Sequence, residues 1–356
     1  MKVLALNSSP RTGGASKTEM LLLKLVEGMQ EAGAQVEVVN LREKKINFCQ
    51  GCFSCWTRTP GRCIHKDDMA QELFPKWLEM DMCIYASPLY HFSFNAEMKA
   101  FIERTLPFAE PFMVREEGGH LTHPQRQKAP TAVVLSVAGF PEQDVFDLMS
   151  SYSRFMFGYI GGLAAEIYRP AAELLNLPTI GDLRQRILEA TVQAGRELVE
   201  QGAVKPETMQ AITQPLMPSE EVARVANMFW RTCIEAGVSP KQFGQKNMAV
   251  RPADLEDYLL MMQMGFNPQG AAGLQAVMQF DFSGPVEGSC HLVIKDSTLQ
   301  GVMGPAPQPD VTVSAPFEVW MDVVTGKADG QQAFMEGKYQ VQGDVTLLMR
   351  MGQMFG

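Results

Sequence analysis

A chain of 356 residues, 46% hydrophobic and 20% charged, exceeds the roughly 250–300 residues over which one core usually grows, so two domains are expected. A formal net charge of −9 with scattered lysines and arginines leaves no basic footprint, which argues against nucleic-acid binding. With no run of about 18 apolar residues and a first segment that reads as a strand, no membrane span is expected, and a cytoplasmic protein is.

Residues 2–6 are a short apolar run. The polar, glycine-containing turn from Asn7 to Ser16 follows, and then a periodic segment over 17–31. Strand, turn and helix in this order can point backbone N–H groups, hydroxyls and one guanidinium at a phosphate, helped by the positive end of the helix. Further strand-like runs at 35–39, 82–86, 132–137 and 163–168 alternate with helix-length segments at 69–79, 95–105, 142–157 and 180–202. That alternation predicts a parallel sheet covered on both faces. A helix over 219–236 is followed by Gly237, Pro240 and Gly244, which places a linker at 241–254 between domains spanning 1–240 and 255–356.

Four of the seven cysteines, Cys49, Cys52, Cys55 and Cys63, stand between the first two helices. The short spacers let successive sulfurs converge, and Gly51 and Gly61 relieve the backbone. Four thiolates suit a [4Fe-4S] cluster or tetrahedral zinc. Three cysteines at successive two-residue spacings read more like an iron–sulfur run than paired zinc ligands, and dithiol-forming or vestigial cysteines are the remaining alternative. Such clustering fits a reducing compartment. Cys83, Cys233 and Cys290 lie in apolar contexts and read as buried thiols.

Beyond 255 the texture changes. Short runs at 274–282, 289–295, 299–303 and 310–314 are joined by Gly, Pro and Asp turns and read as antiparallel strands. Helical segments at 316–324 and 330–336, a short strand at 338–341 and a last helix over 344–354 complete an α+β domain. Ten of the 24 methionines lie from Met261 onward, a composition that serves a methionine-rich core or an adaptable apolar cavity.

Four separated blocks carry a family resemblance. They are Asn7-Ser8-Ser9-Pro10-Arg11 with Gly14-Ala15-Ser16; the cysteine segment 47–69 ending in Asp67-Asp68-Met69; Ser87-Pro88-Leu89-Tyr90-His91-Phe92 with Lys99 and Arg104; and Gly161-Gly162 through Ile167-Tyr168-Arg169-Pro170. Through them the first 240 residues resemble the flavodoxin-like NAD(P)H-dependent FMN reductases, especially the iron–sulfur flavoprotein branch. The resemblance implies a doubly wound α/β sheet of order 2-1-3-4-5, with FMN outside the carboxyl ends of the strands. It assigns Ser9, Arg11, Ser16 and Thr18 to the phosphate, and Pro88, Leu89, Tyr90 and Phe92 to the ribityl chain and ring. It sets the second loop, Ser136, Val137, Ala138 and Gly139, against the same ring. It places a [4Fe-4S] cluster on the four cysteines, while the carboxylates of Asp67-Asp68-Met69 are expected to cap the following helix. Ser8, where the family has glycine, and Ala15, where asparagine is common, depart from the pattern.

Gly326-Lys327-Ala328, Ala333-Phe334-Met335-Glu336-Gly337-Lys338 and Gly343-Asp344, with a first strand at 274–282 and an edge strand at 310–314, resemble the sterol carrier protein 2 (SCP2) superfamily. An apolar, lipid-like ligand is implied, lined by Phe317, Trp320, Met321, Phe334, Met335, Leu347, Leu348, Met351 and Phe355. Together the resemblances imply an FMN-dependent oxidoreductase fed by NAD(P)H or ferredoxin and acting on a quinone-like or other apolar acceptor. The chemistry would lie in the FMN rather than in catalytic side chains. An electron carrier between protein partners and a lipid-binding scaffold are the alternatives. A homo-oligomer is expected, with 107–126 as a projecting loop.

Overall fold

The computed structural model describes residues 1–115, 119 and 121–355. Two compact units divide the chain: Met1–Asn176 with Ile180–Leu216, and Leu177–Thr179 with Met217–Gly356.

In the first unit β1 (Lys2–Asn7), β2 (Gln35–Asn40), β3 (Met82–Pro88), β4 (Thr131–Val137) and β5 (Leu163–Arg169) form one parallel sheet of order β2-β1-β3-β4-β5. This is the expected flavodoxin-like order. The central strands are buried on both faces, which is why their sequences are continuous apolar runs rather than alternating ones. The helices are α1 (Lys17–Glu31), α2 (Phe74–Leu78), α3 (Ala96–Glu103), α4 (Asp147–Ile160), α5 (Gly181–Gln201) and α6 (Pro206–Thr213).

The helix expected over 69–79 is broken into a π-helical turn, Met69–Leu73, and α2. Pro75 has no N–H to donate, and the widened turn ahead of it absorbs the missing bond. α1 meets α5 where glycines face backbone: a Cβ on Gly28 would lie 1.8 Å from the Val192 carbonyl oxygen, and one on Gly195 would lie 2.1 Å from that of Leu25. The expected projecting loop over 107–126 includes 116–118 and 120, which lie outside the described residues; Val114–Arg115 and Leu121–Thr122 beside them pair antiparallel.

The second unit begins ahead of the linker expected at 241–254. Its first helices are α7 (Ser219–Ala236), α8 (Pro240–Gln245) and α9 (Leu255–Met264). Arg224 on α7 pairs with Asp254 at 3.3 Å and with the buried Asp257 at 2.9 Å, which ties α7 to α9. Strands β6 (Ala276–Ser283), β7 (Gly288–Lys295), β8 (Thr298–Met303), β9 (Val311–Pro316) and β10 (Gln340–Gly343) form a sheet of order β8-β7-β6-β9-β10.

Two expectations need correction here. The strands are not all antiparallel, because β9 runs parallel to β6, and β9 is not an edge, because β10 covers it. The segment after β8 crosses the sheet, with Ala306 N–H donating to the Gln279 side-chain oxygen at 2.8 Å, and delivers β9 on the far side of β6 in the same direction. Gly343 then allows β10 to approach: it has a φ of +92°, and a Cβ there would lie 2.2 Å from the Asp310 carbonyl oxygen. The last helix, expected over 344–354, is two short pieces that follow α10 (Phe317–Val324) and α11 (Gly330–Met335): α12 (Thr346–Met349) and α13 (Met351–Met354). Among the described residues no helix is long and apolar enough to cross a membrane.

Candidate functional site

The loop after β1 is held from beneath by polar side chains. The Ser16 hydroxyl donates to the Ser9 hydroxyl at 2.8 Å, both buried, and accepts from Glu19 N–H at 3.1 Å, which caps α1. Asn7 accepts from Ser9 N–H at 3.1 Å, while Arg42 donates to the Ser9 carbonyl and to Glu19, both at 3.2 Å. Thr18 is buried in the first turn. Arg11 is half exposed and paired with Glu173 at 2.6 Å. An exposed pair of this kind is worth about 0–1 kcal/mol, so an anion can redirect the guanidinium at little cost.

Lys17, which the sequence reading passed over, is a second cation of this loop. It is buried, donates to the Gly14 carbonyl at 3.4 Å, and its pKa is lowered by burial. Ser8 in place of glycine costs the loop nothing, since its N–H and hydroxyl both donate to the Ala86 carbonyl, at 2.9 and 3.2 Å.

Adjacent strands bring the other two loops to this one. Asn95, another residue missed in the sequence, donates to the Ser8 carbonyl at 2.6 Å and accepts from Met98 N–H at 3.3 Å, so the cap of α3 also fastens the β1 loop to the β3 loop. Leu89 N–H donates to the Val137 carbonyl at 2.9 Å, and Ala138 N–H donates to that of Arg169 at 3.0 Å. Tyr90 and Ser93 exchange N–H···O bonds of 3.0 Å around His91 and Phe92, whose φ values are +47° and +61°.

Two successive left-handed residues are the signature of a type I′ turn, normally filled by Asn-Gly. Here the turn presents exposed Tyr90 and Phe92 rings, and Phe92 lies 6.3 Å from Phe140 of the β4 loop at an interplanar angle of 25°. Pro88 and Leu89 are half-buried, Val137 and Ala138 buried, and Gly139 exposed. The Ser136 hydroxyl is buried without a partner. The loops at the carboxyl ends of β1, β3 and β4 thus form one continuous surface of hydroxyls, helix N–H groups and aromatic rings, a set that fits an FMN phosphate and ring.

The cysteine segment forms a separate recess. Cys49, Cys52, Cys55 and Cys63 all line it, together with His65 and Arg104. Gly51, Phe53 and Gly61 take φ values of +61°, +50° and +76°, which turn the backbone tightly enough for the four cysteines to face one space. Phe53, Trp56 and His123 pack in a tilted row, with centroids 5.1 and 4.9 Å apart, against the loop. Cys52 is exposed, and hydrogen bonding from Ser54 lowers its pKa; Cys55 is buried, and burial together with the neighbouring Cys63 raises its pKa. Among the described residues, no three His, Cys, Asp or Glu side chains are close enough to hold a single metal ion.

Beside the recess lies a buried ion pair. Arg104 donates to the Asp67 carboxylate at 2.8 and 3.0 Å and to the Asn47 carbonyl at 2.6 Å. Asp67 also accepts from Asn47 N–H at 2.9 Å and, as the expected cap, from Ala70 N–H at 3.0 Å. Burial raises its pKa, but these donors outweigh that and hold it at about 2. Arg104 Nε and His65 Nε2 are buried without partners, on two residues that line the recess with the cysteines, which fits a sulfur-rich group. α3 spans from the strand-end loops to the recess: Asn95 caps its start, Glu103 ends it at the recess, and eight residues span about 12 Å. A wider recess between α4 and β5, lined by Asp147, Arg154, Glu166 and Tyr168, holds none of the sequence-predicted site residues.

Residues 1–134 match the NADPH-dependent FMN reductase family, and residues 263–356 match the SCP-2 sterol transfer family. The chain joins an FMN-reductase-like region to an SCP2-like one. An iron-sulfur flavoprotein of Archaeoglobus fulgidus is 38% identical over 123 residues, which are 34% of this chain and 53% of that protein. An iron-sulfur flavoprotein of Methanosarcina thermophila is 28% identical over 200 residues, 53% of this chain and 94% of that protein. The solved NAD(P)H:quinone oxidoreductase from Methanothermobacter marburgensis has 21% identity and a TM-score of 0.43 over 56% of this chain and 96% of that one.

All four clustered cysteines and the loops after β1 and β3 fall within the FMN-reductase-like region, while residues 136–139 lie just beyond it. In the SCP2-like unit the expected lining residues separate. Phe317, Trp320, Met321 and Leu347 are buried in the core, Leu348, Met351 and Phe355 pack against it, and Phe334 and Met335 are exposed.

Proposed function

We propose that the chain is an FMN-dependent oxidoreductase, with Ser9, Arg11, Ser16 and Thr18 holding the FMN phosphate. Pro88 to Phe92 and Ser136 to Gly139 would hold the ribityl chain and ring. When bound, FMN accepts two electrons from a donor and can pass them on singly. The residues would position it: buried serine hydroxyls and the N-terminus of α1 would receive the phosphate, and the exposed Phe92–Phe140 pair would offer an apolar border for the ring. The observation that carries this reading is the continuity of the three strand-end loops, fastened by Asn95.

The four cysteines are read as ligands of a [4Fe-4S] cluster, on their spacing and on the single recess they line. Cys49 and Cys52 are exposed, and Phe48 beside them is 70% exposed, which favours electron exchange with a protein partner such as ferredoxin as a second reading. NAD(P)H is the proposed diffusible donor, and an apolar, quinone-like or lipid-like molecule the proposed acceptor or ligand of the SCP2-like unit. A homo-oligomer is proposed as well, because α4 exposes Leu148, Phe155 and Tyr159 at helical spacing.

Anaerobic mixing of the flavin-loaded protein with NADPH, NADH or reduced ferredoxin tests the donor. Bleaching of the flavin band by a nicotinamide supports the reductase, and bleaching by ferredoxin alone selects the carrier. Arg11→Ala is expected to weaken FMN binding by roughly 1.5–3 kcal/mol, the value of a charge-assisted hydrogen bond. An unchanged FMN dissociation constant removes Arg11 from the site.

A further inference from the structure

We infer that Arg104, clamped by Asp67, donates its Nε–H to sulfur in the centre held by Cys49, Cys52, Cys55 and Cys63, with His65 Nε2 as a second donor, so that this pair sets the reduction potential of the centre. The inference rests on the cysteine cluster proposed above.

The Arg104 guanidinium is fully buried, and its terminal nitrogens are committed to Asp67 and Asn47. That arrangement fixes the plane of the group and leaves Nε without an acceptor, on a residue that lines the cysteine recess. Cys63 lines the same recess. A buried N–H normally finds a partner.

His65 Nε2 is unpartnered in the same recess and can donate in one tautomer. Two unclaimed buried nitrogens beside four thiols are explained together if sulfur is their acceptor. Hydrogen bonds to cluster sulfurs stabilise the more negative, reduced form and raise the potential. Asp67 is then a positioning residue: it holds the guanidinium in place and touches no sulfur itself.

The test uses the full chain, purified anaerobically with iron supplied, as wild type, Arg104→Lys, Arg104→Gln and His65→Phe. Iron, acid-labile sulfide and FMN are measured first. Wild type without iron and sulfide defeats the cluster reading, and the inference with it. With the cluster present, its midpoint is followed by an EPR-monitored redox titration, with the FMN potential as internal control.

Arg104→Lys keeps a cation for Asp67 but removes the Nε–H. Its cluster potential is expected to fall by at least a tenfold change in the oxidised-to-reduced ratio, about 59 mV for one electron, with the FMN potential unmoved. His65→Phe is expected to lower it in the same direction. Arg104→Gln, if it folds, is expected to fall furthest. A cluster potential unchanged in Arg104→Lys overturns the role of Arg104, and one unchanged in both Arg104→Lys and His65→Phe overturns the inference entirely.

Discussion

Single residues in this protein are strained or buried where a cofactor would need them. Phe92 occupies a left-handed position that suits glycine, and a non-glycine residue there costs of order 1–3 kcal/mol. Phe92→Gly is therefore expected to stabilise the cofactor-free protein by about 1 kcal/mol, after the entropy cost of glycine, while weakening FMN binding. Thermal unfolding of the apoprotein and a fluorescence titration with FMN check both halves; a variant with unaltered FMN affinity would take Phe92 out of the flavin surface.

Asp67 presents the opposite case, a buried charge fully satisfied. Its carboxyl is held at about 2 against an ordinary 3.8, so its ionised form contributes about 2 kcal/mol of stability that is fully present above pH 4 and is lost as pH falls through 2. Asp67→Asn leaves Arg104 buried and unpaired, an expected cost of about 3–5 kcal/mol at neutral pH. The gap between wild type and variant should narrow by about 2 kcal/mol between pH 5 and pH 2 in urea unfolding. Parallel curves across that range would show that the ion pair does not carry the pH dependence.

At the scale of elements, helix packing decides between competing effects. Alanine is the better helix former by about 1 kcal/mol, yet at Gly195 its Cβ would lie 2.1 Å from one backbone oxygen and 2.8 Å from a backbone nitrogen of α1. Backbone cannot move aside as a side chain can, so Gly195→Ala is expected to lose about 1–2 kcal/mol net and to lower the melting temperature. Gly181→Ala, on the same helix with open space at its Cβ, should hold or gain stability. Equal effects at the two positions would mean that α1 and α5 are not in backbone contact.

Elements of the first unit were legible in the sequence because their signals are local. Apolar runs gave the five parallel strands, and α1 appears over the 17–31 expected from its period and the Ser16 cap. The β1 loop proposed to hold the phosphate and the clustering of the four cysteines were visible as spacings. Contacts between distant residues were not: Asp67 and Arg104 stand 37 residues apart, and Asn95 reaches Ser8 across 87, so no periodicity or motif spacing pairs them. The parallel pairing of β9 escaped for a related reason. Short spacers read as hairpins, and the crossing depends on Gln279 receiving Ala306 N–H 27 residues later. α6 has no counterpart among the expected helices; it starts at Pro206, and proline at the first helical position starts a helix.

Across the whole molecule, the FMN-reductase-like unit carries two chemically distinct surfaces at opposite ends of α3, and the chain continues into an SCP2-like unit whose large apolar side chains mostly fill its own core. The central claim is that one chain holds FMN on its strand-end loops and a [4Fe-4S] cluster on Cys49, Cys52, Cys55 and Cys63. Quantifying flavin, iron and acid-labile sulfide in anaerobically purified full-length protein, alongside its visible spectrum, tests this most directly. The account predicts one FMN and about four irons and four sulfides per chain, with iron and sulfide lost but FMN retained in Cys55→Ala. Protein that carries FMN but no iron or sulfide, or one that keeps its iron and sulfide in Cys55→Ala, would contradict it.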